Sequence, residues 1–319
     1  MGSEPSPLNR GRPPTKQKTR KVKPDQTEAR GLCQGGRTHE DRMHPVEKAL
    51  WFIENRLSGE ISLEDVARSV GVSSHYLARA FGAATGLSLM RYARGRRLSE
   101  AARTLAAGAP DILEVGLAAG YGSHEAFTRA FHRQFGAPPE ALRARGLPPN
   151  IQLVEPIRMD KTLLTELDPP RFLDGEELLI VGLAARYTFE TNQGIPAQWQ
   201  RFAPHIGHIP KQRGPETYGL CANADNSGSF EYIAGVRVSE FSDLPEGLSG
   251  IRVPKRRYAV FTHRGHVSQL RRTHYTIWNK WLPESGSGFA DAPSFERYGK
   301  DFNPMIGLGP IEVWMPVDG

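Results

Sequence analysis

Ser62-Leu-Glu-Asp-Val-Ala-Arg-Ser-Val-Gly71 and Asp111-Ile-Leu-Glu-Val-Gly-Leu-Ala-Ala-Gly120 are two copies of one pattern, set about fifty residues apart. Each copy is followed by a second matched stretch, Leu77-Ala-Arg-Ala-Phe81 after the first and Phe127-Thr-Arg-Ala-Phe131 after the second. Apolar residues at three- and four-residue spacing around a glycine predict helix, turn, helix in both. Ser62 and Asp111 stand at the N-cap positions, with Asp65 and Glu114 three residues on as capping-box partners. Gly71 and Gly120 supply the left-handed backbone that lets the second helix turn steeply away from the first. Leu63, Val66, Leu77 and Phe81 are expected to pack inside one unit, and Ile112, Val115, Phe127 and Phe131 inside the other.

Between the copies, residues 90–105 read as one continuous helix, roughly 24 Å long at 1.5 Å per residue. A spacer of that length brings two second helices within reach of successive major grooves, about 34 Å apart on one face of DNA. The helical pattern runs from His44 to Gly146, with Val46, Ala49, Leu50 and Ile53 on the inner face of an opening helix. The preceding residues, 1–44, are rich in Pro, Gly, Lys and Arg, and are expected to be a disordered basic tail. Within them, Arg10-Gly11-Arg12-Pro13 is similar to an AT-hook core, and Met43 is an alternative start. The net charge of +6 divides into about +5 for residues 1–44, +3 for 45–149 and −2 for 150–319, so a polyanionic partner belongs to the first half. Cys33 and Cys221 lie far apart without metal-ligand spacing, which points away from a disulfide framework or a structural zinc site. No apolar run is long enough to cross a bilayer and the N-terminus lacks an apolar signal region, so a cytoplasmic location without membrane partners is expected.

The motifs are specific enough to carry a resemblance. Ser73-Ser-His-Tyr-Leu-Ala-Arg-Ala-Phe81, then Arg96-Arg97-Leu98 with Ala101 and Leu105, then Gly120-Tyr-Gly-Ser-His-Glu-Ala-Phe-Thr-Arg-Ala-Phe131 and Phe135-Gly-Ala-Pro-Pro139 resemble the DNA-binding domain of the AraC/XylS family. The resemblance implies an all-α tandem helix-turn-helix domain over residues 45–147 that binds double-stranded DNA. It places His75, Ala78 and Arg79 on the first recognition helix and His124, Glu125, Thr128 and Arg129 on the second, with Arg96 and Arg97 as further DNA contacts. Arg79 and Arg129 lead, because an arginine can hydrogen-bond two guanine edge atoms or anchor a phosphate. Ala78 departs from the polar pattern and offers only a methyl; Tyr121 stands where the family commonly has Phe.

Residues 148–156, with three prolines, read as a linker. Beyond them, β-type runs at 178–185, 217–222, 230–238, 258–264 and 311–316 and helical runs at 196–205 and 267–282 predict an α+β domain. Gly219-Leu-Cys221, Phe230-Glu-Tyr-Ile-Ala-Gly-Val236, Tyr258-Ala-Val-Phe-Thr-His-Arg-Gly265, Trp278-Asn-Lys-Trp-Leu-Pro-Glu-Ser-Gly286, Pro293-Ser-Phe-Glu-Arg-Tyr298 and Glu312-Val-Trp-Met-Pro316 occur in the order met in the GyrI-like effector domain, which residues 157–318 resemble. That resemblance implies two pseudo-symmetric β-α-β-β repeats enclosing a groove for a small-molecule effector.

Trp199, Tyr232, Trp278, Tyr298 and Trp314 with Glu296 form the candidate ligand set, Glu296 leading because it holds the acidic position of the Phe-Glu-x-Tyr motif. A desolvated carboxylate among aromatic faces attracts an organic cation through Coulomb and cation–π terms. A single tryptophan is more often ordinary core than ligand contact, since large aromatics dominate cores. His263, His266 and His274 cluster in sequence without a nucleophile order, and His205 with His208 makes no metal set, so neither catalytic residues nor a metal or cofactor are assigned. The expected function is a DNA-binding regulator sensing an amphipathic or cationic molecule, with RNA polymerase as a further partner. The alternative is a hydrolase of toxic electrophiles that carries a DNA-binding module.

Overall fold

The structure, a computed structural model, describes residues 1–2, 44–109, 111–225 and 228–318. The AT-hook-like segment, Cys33 and Met43 lie outside the described residues. From Pro45 the chain forms helices α1 (Pro45–Glu54), α2 (Leu63–Val70), α3 (Ser74–Thr85), α4 (Leu89–Ala106), α5 (Ile112–Ala118), α6 (His124–Phe135) and α7 (Pro139–Arg145). Their starts follow local chemistry. Ser62, Ser73, Ser88 and Ser123 each accept the backbone N–H three residues on, and Asp111 accepts that of Leu113. Asp65 in turn accepts a hydrogen bond from the Ser62 hydroxyl at 2.6 Å. Gly71 and Gly120 sit at φ +75° and +80°, where a side chain would be strained.

Burial divides these helices into two units. Val66, Leu77, Phe81 and Tyr92 are closed off with α1 in one core, and Leu98, Leu105, Ile112, Phe127 and Phe131 in the other, with α4 running through both. The proline-rich segment after α7 is no free tether. Val154 lies against Gly95 of α4, its N–H donates to Ser99 Oγ at 2.9 Å, and its carbonyl accepts from Arg96 at 2.9 Å. A β-carbon at position 95 would stand 2.7 Å from Val154 Cγ2, so the strap needs glycine there.

Among the described residues the C-terminal half builds an eight-stranded antiparallel sheet from β1 (Arg171–Gly175), β2 (Leu178–Thr188), β3 (Gln212–Ala222), β4 (Ser229–Val238), β5 (Ser249–Val253), β6 (Arg256–His263), β7 (Ser294–Tyr298) and β8 (Ile311–Pro316), in the order β1-β6-β8-β7-β3-β4-β2-β5. Helix α8 (Ile195–Phe202) packs over β2 and β4. Helix α9 (Leu270–Thr276), a π-helical turn over Ile277–Trp281 and α10 (Leu282–Ser285) pack on the same side, with β6 and β8. The other face carries Tyr218, Leu220, Ile233, Tyr258 and Phe295 with Trp314. The π turn and the first helical unit share one core: the Tyr76 ring lies 6.0 Å from that of Trp278, and the Tyr76 hydroxyl donates to the Trp278 carbonyl at 3.0 Å.

Candidate functional site

Strand β7 lies in the middle of the sheet, paired with β3 on one side and β8 on the other. Successive strand residues point to opposite faces, so Ser294, Glu296 and Tyr298 share one face and Phe295 takes the other. Glu296 is 9% exposed. Its Oε2 accepts the hydroxyls of Tyr232 (3.0 Å) and Tyr298 (2.9 Å), and its Oε1 meets His274 Nε2 at 2.9 Å. Burial, reinforced by the carboxylate, pushes both phenols far above their ordinary range, so they remain protonated donors. Trp199 completes the cluster from α8: its Nε1–H donates to Tyr232 at 3.0 Å, and its ring stands edge-on to Tyr298 at 5.3 Å.

Gly219, opposite Glu296 in the β3–β7 register, makes this packing feasible. A β-carbon there would fall 2.1 Å from the Tyr232 hydroxyl and 2.7 Å from Glu296 Oε2. An ionised carboxylate offers about four acceptor positions, and the contacts with Tyr232, Tyr298 and His274 occupy three of them.

Four predicted ligand residues, Trp199, Tyr232, Glu296 and Tyr298, are thus brought together. Trp278 lies on the same side of the sheet, on the π turn, with Arg79 facing its ring. Trp314 does not join them. It is in register with Phe295, stacks on that ring at 5.2 Å and donates to Glu312, which puts it on the opposite face. Sequence reasoning missed Ser294 and the role of His274, visible only as one of three nearby histidines. His263 instead serves the fold, its ring held by Thr273 Oγ1 (2.8 Å) and the His266 carbonyl (3.1 Å). No group of His, Cys, Asp or Glu among the described residues is arranged to hold a metal ion, His205 and His208 included.

The two DNA-directed helices are placed differently. On α6, His124, Glu125 and Arg129 are exposed and Thr128 is half-buried. On α3, the corresponding face is turned onto the C-terminal half. His75 stacks on Phe289 at 5.4 Å, and Ala78 is partly buried. Arg79, 8% exposed, donates to Ser294 Oγ at 3.1 Å with its guanidinium carbon 5.8 Å from the Phe230 ring and 6.0 Å from Trp278.

Arg96 is withdrawn from the surface. It forms a two-point pair with Glu54 (2.9 Å for each closest contact), bonds Glu100 and holds the strap carbonyl of Val154, so it organises the fold and is not presented to DNA. Arg97 is partly buried beside Gly120 and lines a cavity of about 570 Å³ with Glu54, Glu100, Asp111 and Glu114.

Residues 168–318 match the family model of the GyrI-like small molecule binding domain, and residues 66–145 match that of a helix-turn-helix domain. Transcriptional regulator BrlR of Pseudomonas aeruginosa is 35% identical over 121 residues, 37% of this chain and 44% of that protein. Transcriptional regulator Rob of Salmonella typhimurium is 24% identical over 285 residues, 86% of this chain and 96% of that one. The Transposon Tn10 TetD protein of Escherichia coli is 35% identical over 102 residues, covering 32% of this chain and 74% of that protein. The chain therefore spans less than half of the first relative and nearly all of the second.

Proposed function

Because the chain belongs to the AraC-type helix-turn-helix regulators that carry a GyrI-like small-molecule binding domain, we propose that it binds double-stranded DNA through α3 and α6 and senses a small amphipathic or cationic molecule in the groove around Glu296. The DNA-binding part is assigned to residues 45–147, the strap to 148–156 and the effector domain to 157–318. The strand order supports reading that domain as two pseudo-symmetric β-α-β-β halves, β2-α8-β3-β4 and β6-α9-β7-β8, that meet where β3 pairs with β7.

The observation that carries the effector reading is the Glu296 carboxylate, enclosed by Tyr232, Tyr298, Trp199 and His274. Charge in such an apolar enclosure is costly without partners, and a cation lying against aromatic faces relieves that cost. Three donors on Glu296 suit a fixed binding group better than a general base that must take up a proton.

Tetraphenylphosphonium and tetraphenylborate, which share a shape and differ in the sign of their charge, provide the test by calorimetric titration of the full chain. The expected result is saturable binding of the cation only, weakened about tenfold or more by Glu296→Gln, the loss of one charge-assisted contact. Equal binding of both ions, or no effect of Glu296→Gln, would reject the reading.

A further inference from the structure

The arginine expected to read DNA is enclosed by side chains of the C-terminal half. On α3, Leu77, Ala80 and Phe81 are fully closed into the helix-turn-helix core, which leaves His75, Ala78, Arg79 and Gly82 as the outward face. That face is covered. Phe289 lies on His75, Ser294 and the Phe230 and Trp278 rings receive Arg79, and Phe189 packs so tightly on Gly82 that a β-carbon there would stand 2.0 Å from the ring. Arg91, at the start of α4, reaches Glu190 at 3.5 Å and extends the same contact.

Ser294, which holds Arg79, is two residues from Glu296 on the same face of β7, and Cys221 lies opposite Ser294 on β3. The Cys221 thiol is pushed up to about 11, chiefly by burial, with Arg79 pulling it down and Glu296 pushing it up, so both charges act on one small volume. A guanidinium near two aromatic rings, held by a serine two residues along the strand from a buried carboxylate, has the cation chemistry ascribed above to an external ligand.

We infer that Arg79 is an internal cation occupying the effector groove, so that α3 is held away from DNA until an aromatic monocation takes its place. The inference rests on the cation reading of the groove. It makes the effector and the closed arrangement of α3 mutually exclusive and links them reciprocally: what frees Arg79 strengthens ligand binding, and ligand frees α3. If the closed arrangement outweighs the open one by about ten to one, the apparent ligand affinity is reduced by about the same factor.

The test compares the full-length chain with two variants that dislodge α3 by different means. Arg79→Met removes the charge while keeping side-chain length, and Gly82→Leu drives a wedge against Phe189. Tetraphenylphosphonium affinity is measured by calorimetry, and amide exchange of residues 74–85 is followed in each form. The inference expects both variants to bind the cation about tenfold more tightly than the parent. It also expects α3 amides to exchange faster in both variants and, in the parent, on adding the cation. Equal affinities in the three forms would overturn the inference while leaving the cation reading intact. Absence of binding in all three would reject the cation reading, and faster exchange in Gly82→Leu would then mark α3 as a packing contact only.

Discussion

Arg96 and Arg97 are neighbours in a basic run on the helix between two DNA-directed units, and sequence alone assigns them the same role. The partner that separates them, Glu54, is forty-two residues upstream and lies on another helix, a relation that no local pattern contains. Arg96 is buried and paired, whereas Glu54 keeps about a quarter of its side chain exposed. Arg96→Ala is therefore expected to destabilise the chain by about 2–3 kcal/mol in urea unfolding, somewhat below the loss for a fully enclosed pair. The same pair sets an acid limb. Burial pushes the Glu54 carboxyl up, but hydrogen bonds from Arg96 and Tyr92 and the Arg96 charge outweigh it and hold it below 4.5. Its contribution is thus present above that ordinary value and lost as pH falls through the depressed one, and Arg96→Ala should flatten that part of the stability profile. At the same scale, Glu296 and Tyr298 were picked out by the Phe-Glu-x-Tyr motif of the GyrI-like resemblance and not by strand parity, since β7 is too short to show a period. The face of Trp314 was not legible, since it depends on a pairing with Phe295 across two strands.

At the scale of elements, α2, α3 and α6 were the most legible because each carries its own start and stop: a serine cap, an apolar period and a left-handed glycine. The long strands were legible by their β-branched and aromatic runs. Strands β1, β5 and β7 were missed, each only five residues long and two of them at the edges of the sheet, where half the backbone is unpaired and no alternating pattern is required. Strand β7 is the opposite case. It is buried on both faces, and five residues are too few to show a period. The three prolines of residues 148–156 are plain in the sequence, but the docking of this segment on α4 is not, because it depends on the space above Gly95 and on the Ser99 hydroxyl, which accepts the Val154 N–H while donating to the Gly95 carbonyl. Gly95→Leu is expected to lift Val154 from α4 and break the bond to Ser99. Limited proteolysis would then cut within residues 147–157 several times faster than in the parent, while the α6 core stays protected.

For the whole molecule, the two halves were legible as separate families of pattern, but their engagement was not, since a recognition face and a docking face look identical on a helical wheel. His75 makes that engagement pH-sensitive. In the closed arrangement burial, and then the Arg79 charge, hold its imidazole below the ordinary value of 6.5, with Asp291 at 4.0 Å opposing them and Phe289 covering the ring. Opening returns His75 to water, where it binds a proton more readily, so the closed form is favoured above 6.5 and loses ground as pH falls below it. His263 is depressed as well, chiefly by burial, but it is enclosed by Thr273 and the His266 carbonyl, so its protonation weakens the domain rather than the contact with α3. Amide exchange separates the two, once corrected for intrinsic rates. Between about pH 7.5 and about pH 5.5, residues 74–85 should lose protection in the parent and keep it in His75→Gln, while the acid weakening of the sheet domain persists in both. Loss of α3 protection to the same extent in His75→Gln would assign the pH response to His263 and the domain core, and leave the Arg79 contact without a titrating partner.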